Sequence, residues 1–202
     1  MNNIEYRNIQ TDLTTDENSR TVHGLAIPIN SRSELLGGEF YETITADAIT
    51  DAFINSQDVK LYLDHDPSHG TFARSKFGTG SLRLYVTERG LEFTTDIPNT
   101  VFGDALLEGI RRGDYDAISF AFAPKDEKWV PNNDGTYERT ITKFEILDEC
   151  SILSQLPAYS ATSVDIRSLN DFKEEEKRHI EELNNKLDNI MKEIDENINK
   201  LY

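Results

Sequence analysis

Cysteine is almost missing from this chain. Cys150 stands alone, which excludes an internal disulfide framework and any multi-cysteine metal site, and fits a reducing compartment. Long apolar runs are missing too. No stretch approaches the roughly 18 to 20 residues that a membrane-spanning helix needs, and the first residues lack a charged-then-apolar leader pattern. A soluble, non-exported protein with no membrane partner is therefore expected. Positive charge is scarce: 21 Lys and Arg face 37 Asp and Glu, a net charge of −16. The basic pairs Arg111-Arg112 and Lys177-Arg178 both lie among acidic neighbours, so the surface repels polyanions and nucleic acid is not expected as a partner.

At 202 residues the chain can bury one core of ordinary size, with room for an appendage but not for a second large domain. From residue 3 to about 160, short apolar alternations separated by Gly, Pro, Asn and Asp read as strands. One hairpin joins Leu82, Leu84 and Val86 to Leu91, Phe93 and Thr95 through Glu88-Arg89-Gly90. A second turns at Asn133-Asp134-Gly135, pairing Trp129-Val130 with Tyr137 and Ile141. A helix is expected to start near Thr45 with Asp47 in its first turn and Ile49, Ala52 and Phe53 buried. Another should run from Val101 to Arg112 with Val101, Leu106 and Ile110 inward, ending at Gly113. The expected fold class is α+β, a β-rich, barrel-like core with helices packed outside.

Residues 1–160 are read as this domain, 161–171 as a small-residue linker and 172–202 as an amphipathic helix. In that helix Ile180, Leu183, Leu187, Ile190, Ile194 and Leu201 fall at alternating three and four spacings, with Asn197 at the one polar position of the series. The pattern reads as a coiled-coil seam that associates with a partner helix. The alternative is an amphipathic helix folded back on the domain.

Of the four histidines, His179 lies in the charged helix and reads as solvated, and His23 alternates with Leu25 and Ile27 as a strand-face residue. His65 follows the alternation Val59, Leu61, Leu63, so its ring is expected on the apolar face at a strand end, before the turn Asp66-Pro67. With Asp64, Asp66 and His69 it also resembles a set of hard metal ligands, but no HExxH-type spacing completes such a site. In Ala117-Ile118-Ser119-Phe120-Ala121-Phe122-Ala123 the large apolar residues take one face and Ser119, Ala121 and Ala123 the other. A serine on so small a face has room above it for an extended peptide. In Ile146-Leu147-Asp148-Glu149-Cys150-Ser151-Ile152-Leu153, Glu149 is expected to share a face with Leu147 and Leu153. A carboxylate there needs a partner, which a histidine nitrogen can supply. Asp148 competes for that role from the opposite face.

These segments, in this order, resemble the prohead protease family of tailed bacteriophages, distant relatives of the herpesvirus assemblin peptidases. The resemblance covers residues 20 to 164. It starts at Gly24-Leu25-Ala26-Ile27-Pro28-Ile29-Asn30-Ser31 and Leu36-Gly37-Gly38-Glu39-Phe40-Tyr41-Glu42, and continues through Asp64-His65-Asp66-Pro67, Gly78-Thr79-Gly80-Ser81-Leu82 and Arg89-Gly90-Leu91. Gly113, Ile118-Ser119-Phe120-Ala121-Phe122, Glu149-Cys150-Ser151-Ile152-Leu153 and Pro157-Ala158-Tyr159 complete it. Cys150 departs from the family's usual aliphatic residue, and the helix from about 171 falls outside the shared region.

The resemblance implies an assemblin-like serine endopeptidase with His65 as base, Ser119 as nucleophile and Glu149 as the acid that orients the histidine, and no cofactor. Its implied substrates are the scaffold segment of the major capsid protein, or a separate scaffold protein, and the protease itself. Cleavage would take place inside the assembling prohead in the host cytoplasm. The C-terminal seam then reads as an assembly tag or self-association surface, and the linker as a self-cleavage site. Two rival readings are a non-catalytic assembly protein that keeps the fold and a metal-dependent hydrolase.

Overall fold

The computed structural model describes residues 4–15, 18–155 and 163–199. The chain divides into two compact units between Val164 and Asp165. Pro157-Ala158-Tyr159, the linker residues before Ser163, and Leu201 of the seam lie outside the described residues.

The first unit is organised by one long hairpin. Strand β10 (Ala117–Pro131) runs out and β11 (Tyr137–Leu153) returns antiparallel to it. They meet at a tight turn where Gly135 takes φ 86° and the Asn132 amide donates to the Thr136 carbonyl at 2.8 Å. That backbone is one which glycine adopts without steric cost. The two segments bearing Ser119 and Glu149 are thus the two arms of the hairpin predicted at Asn133-Asp134-Gly135.

Other strands add to it. β1 (Glu5–Gln10) pairs antiparallel with β10, while β4 (Phe40–Ile44) and β5 (Asp58–Leu63) lie parallel to successive halves of β11. Beyond β5 come β6 (Ala73–Lys76) and β7 (Thr79–Gly80). A smaller sheet is ordered β2 (Thr14–Thr15), β3 (Thr21–Pro28), β9 (Gly90–Asp96), β8 (Arg83–Val86). The β8–β9 hairpin has the predicted pairing, with Leu84 opposite Phe93 and Val86 opposite Leu91.

The barrel-like expectation is corrected. A barrel needs a ladder that returns from the last strand to the first, and among the described residues no pairing joins β1 to β7 or one sheet to the other. The sheets instead enclose a core. Ile118, Phe120 and Phe122 of β10 meet Cys150 and Ile152 of β11, Val59 and Leu61 of β5, and Leu91 and Phe93 of β9.

Helix α2 (Val101–Arg112) closes that core with Leu106, Leu107 and Ile110. The Thr100 hydroxyl accepts from the Gly103 amide at 3.1 Å at its start, and Gly113 ends it at φ 74°. Val101, predicted inward, is 83% exposed: at N1 it stands before the turn whose side chains face the core. The helix predicted near Thr45 is two pieces, a 3₁₀ turn at Ala46–Ala48 and the single-turn α1 (Asp51–Ile54). Ile49 is extended between them; Thr45, the predicted cap, makes no side-chain cap bond, and Thr50 caps α1 by accepting from the Phe53 amide. Ala48, Ile49 and Ile54 are therefore buried, whereas Ala52 is exposed and Phe53 only half-buried.

A buried ionic network ties β1, β4, β10 and β11 together. Arg7 holds Glu42 through two nitrogens at 2.7 Å each. Arg139 reaches Glu5 at 2.6 and 2.8 Å, Glu42 at 2.9 Å and Glu127 at 2.7 Å. Arg7, Arg139, Glu5 and Glu42 are all buried. Forked guanidinium–carboxylate pairs satisfy most of the donors that burial would otherwise orphan.

Helix α3 (Ser163–Asn199), which from Asp165 onward belongs to the second unit, starts ahead of the predicted position, so that residues 163–171, read as linker from their small side chains, are helical. Leu169 and Phe172 extend the apolar three-residue spacing upstream, which overrides the weak helix propensity of their neighbours. Ile180, Leu183, Leu187, Ile190 and Ile194 are each about half exposed along α3.

Candidate active site

Register sets the site. Across the larger sheet, Asn8, Ser119, Ser151 and Tyr62 form one row, and Tyr6, Ala121, Glu149 and Lys60 form the next on the same face. Without irregularities the hairpin would set Glu149 directly opposite Ser119. Its β-bulges shift the register, so that Glu149 faces Ala121 and Ser151 faces Ser119.

His65 reaches this face through a turn. β5 ends at Leu63, and Asp64 and His65 both take left-handed backbone, φ 52° and 59°. Two such residues in succession build a tight turn, and Asp and His tolerate that region better than most. The turn is pinned: the Asp64 amide donates to the Ile152 carbonyl at 2.9 Å and its carboxylate accepts from the Ser154 amide at 2.8 Å. The predicted position of the ring is corrected accordingly. Val59 and Leu61 point into the core, but the turn breaks the alternation after Leu63, and the imidazole meets Glu149 on the opposite face.

His65 Nδ1 is hydrogen-bonded to Glu149 Oε1, and Ser151 Oγ donates to the same oxygen at 3.4 Å. The ring edge also meets Tyr6, with centroids 5.0 Å apart and planes at 86°. Leu63 lies in the row of Ile152 and Ile118. A side chain that starts beyond that row and contacts Glu149 crosses the Ser151–Ser119 row on its way. The imidazole thus touches Glu149 of β11 and Tyr6 of β1, the two strands that flank the strand carrying Ser119.

A bulge separates Glu149 from its competitor. Ala121 pairs with Glu149 and Phe122 with Leu147, leaving Asp148 as the extra residue. Asp148 turns outward, half exposed, to Lys60 Nζ at 2.7 Å. The bulge also corrects the expected shared face of Glu149 and Leu147: Leu147 enters the core, while Glu149, buried, stays with Ser151.

Ser119 is 0% exposed, and Ala121 and Ala123 are buried with it. The room expected above this small face is therefore packed over. Ser119 Oγ has no hydrogen-bond partner among the described residues, a state that costs about 1–3 kcal/mol for a buried hydroxyl. Thr95 Oγ1 and His69 Nδ1 share this condition, but neither belongs to the strand pair that carries Glu149.

The remaining candidates are engaged elsewhere. His23 Nδ1 lies 2.8 Å from Thr94 Oγ1 on the small sheet, and His179 is exposed on α3. Asp66 accepts from the Ser68 amide at 2.8 Å, and His69 stacks near Phe102 with centroids 4.8 Å apart. Among the described residues no group of three or more His, Cys, Asp or Glu is arranged to hold a metal ion. Cys150 faces the core, where burial pushes its thiol up to about 12. Arg111 and Arg112 sit at the end of α2, with Arg111 donating to the Ser19 carbonyl and Arg112 paired with Asp114.

Tyr6 is the site residue that sequence reasoning missed. Its phenol is held above its ordinary pKa by burial and by the negative charges of Glu149 and Asp148. The alternation of β1 is too short and too charged to flag it.

Among curated proteins, none matches the chain. Among solved structures it is similar to the bacteriophage T4 capsid assembly protease, gp21, at 11% identity and a TM-score of 0.43, over 75% of this chain and 96% of that one. Residues 5–178 match the family described as caudovirus prohead serine protease. The match takes in β1, with Tyr6, and the start of α3, both beyond the segments in which the resemblance was visible. The chain therefore belongs to the caudovirus prohead serine protease family.

Proposed function

We propose that the chain is the endopeptidase that cuts the scaffold segment of the major capsid protein, or a separate scaffold protein, during prohead assembly, with Ser119 as nucleophile. One observation carries this reading: the imidazole of His65 is bonded through Nδ1 to the buried carboxylate of Glu149, one row along the same sheet face from Ser119, a buried serine whose hydroxyl has no hydrogen-bond partner among the described residues. With Nδ1 committed to Glu149, Nε2 is the nitrogen free to take the Ser119 proton. The hydroxyl then attacks the scissile carbonyl. Glu149 holds the tautomer and stabilises the imidazolium, which returns its proton to the leaving amine. Water, activated by the same nitrogen, releases the acyl-enzyme. Since Ser119 is fully buried, substrate reaches it only after the groups over this face part, which fits an enzyme that stays silent until assembly.

The finer parts of the proposal follow. The chain acts inside the prohead in the host cytoplasm, and the order His, Ser, acid along a β-rich core is that of an assemblin relative. It cuts itself between residues 160 and 171. The half-exposed apolar seam of α3 pairs with a helix of the scaffold or of a second copy, as coiled-coil seams do. The test is a serine-directed phosphonate applied to proheads containing the chain. A single adduct on Ser119 that disappears in His65→Ala supports the reading. Labelling elsewhere, or no labelling in proheads whose capsid protein is being processed, overturns it.

A further inference from the structure

Among the described residues, β1 is an edge strand whose outer side no strand pairs with. The Thr11 amide donates to the Asp116 carbonyl at 2.8 Å, in register with the β1–β10 ladder. Antiparallel ladders alternate inward and outward groups, so Glu5, Arg7 and Ile9 bond to β10 while Tyr6, Asn8 and Gln10 direct their N–H and C=O groups away from it. The Tyr6 carbonyl accepts from Arg7 Nη1 at 2.9 Å. No other strand among the described residues pairs with this edge.

Along the same edge runs a groove between the two sheets. A cavity of about 550 Å³ is lined by Ile9, Leu25, Leu36, Ile44 and Phe120 among others. A second, of about 300 Å³, shares Gln10 and Leu25 with the first and is bordered by Asp12, Asp116 and Arg89, giving one end of the groove a surplus of negative charge. On the far wall, β2 pairs with Val22 and His23, and among the described residues no strand pairs with the later part of β3 on that side.

We infer that the free edge of β1 docks an extended peptide segment that adds as an antiparallel strand. Alternate apolar side chains enter the cavity between the sheets, and a basic residue at the peptide's N-terminal end lies against Asp12 and Asp116. Backbone pairing supplies the affinity, and the cavity and the carboxylates supply the selectivity. The added strand lies two strand spacings, about 10 Å, from β10, so the segment held there is not the segment cut. It is an exosite that holds a substrate chain beside the face carrying Tyr6 and His65. Only the identification of the docked chain as substrate rests on the protease reading.

The test is fluorescence anisotropy with the labelled peptide Lys-Val-Thr-Val-Thr-Val-Thr and the full chain carrying Ser119→Ala, so that binding is read without cleavage. Saturable binding is expected. N-methylation of alternate peptide amides should weaken it at least about tenfold, because each methyl removes a backbone donor from the added ladder and several are lost together. Asn8→Pro, which removes one outward N–H and leaves the β10 ladder intact, should do the same, and Asp12→Lys with Asp116→Lys should abolish the preference for Lys over Glu at the first peptide position. Absence of saturable binding up to millimolar peptide, or equal binding of the N-methylated probe, overturns the inference. Neither result bears on whether the wild-type chain processes capsid protein, so the two readings fail separately.

Discussion

Replacing Glu149 by Gln separates the two adjacent acids of β11. The carboxylate is buried, bonded to His65 Nδ1 and to the Ser151 hydroxyl. Gln keeps the volume and one acceptor but loses the charge that, in the proposed triad, fixes the tautomer and stabilises the imidazolium. In a serine protease whose acid is changed to its amide with geometry intact, kcat falls about 10⁴-fold; Ser151, which holds the same oxygen, leaves that dependence in place. We predict a loss of 10³- to 10⁴-fold, about 4 to 5.5 kcal/mol of transition-state stabilisation. Asp148→Asn, one residue away, should stay within about twofold, because its carboxylate is half exposed on a bulge and pairs with Lys60. The assay is the initial rate of cleavage of the phage's own capsid protein, with urea unfolding to confirm that both variants fold. Activity of Glu149→Gln within tenfold of wild type, or an equal loss in Asp148→Asn, would refute the reasoning.

Arg139→Met leaves Glu5 and Glu42 short of a counter-charge in the interior, and should cost about 3–5 kcal/mol in urea unfolding; a loss under about 1 kcal/mol would mean that Arg7 alone suffices. Cys150 should resist iodoacetamide in the native chain at pH 8, since its thiol ionises only at about 12. Because that pKa is raised on folding from an ordinary 9.0, the thiol's contribution to stability is intact below pH 9.0 and is lost as pH rises toward 12. Alkylation at the rate of a free thiol would contradict its burial.

How much of this was legible depended on whether local pattern or register decided the outcome. The Asn133-Asp134-Gly135 turn, the span of α2 with its stop at Gly113 and the apolar face of Ile118, Phe120 and Phe122 are set by residues within a few positions of one another, and are legible in the sequence. The face of His65 was not, because two consecutive left-handed residues end the alternation that pointed it inward. Leu147 was misplaced for a related reason: a bulge adds one residue and inverts everything before it. Openness above Ser119 was inferred from small side chains, but small side chains equally allow close packing. Tyr6 depends on pairing between residues far apart in the chain, which no single sequence displays.

Co-expression of the chain with the capsid protein of its own phage, read by intact mass, tests the central claim most directly. The wild-type chain should convert the capsid protein to a shorter species, and Ser119→Ala should leave it at full length in proheads that still assemble. Processing that continues unchanged in Ser119→Ala would contradict the account.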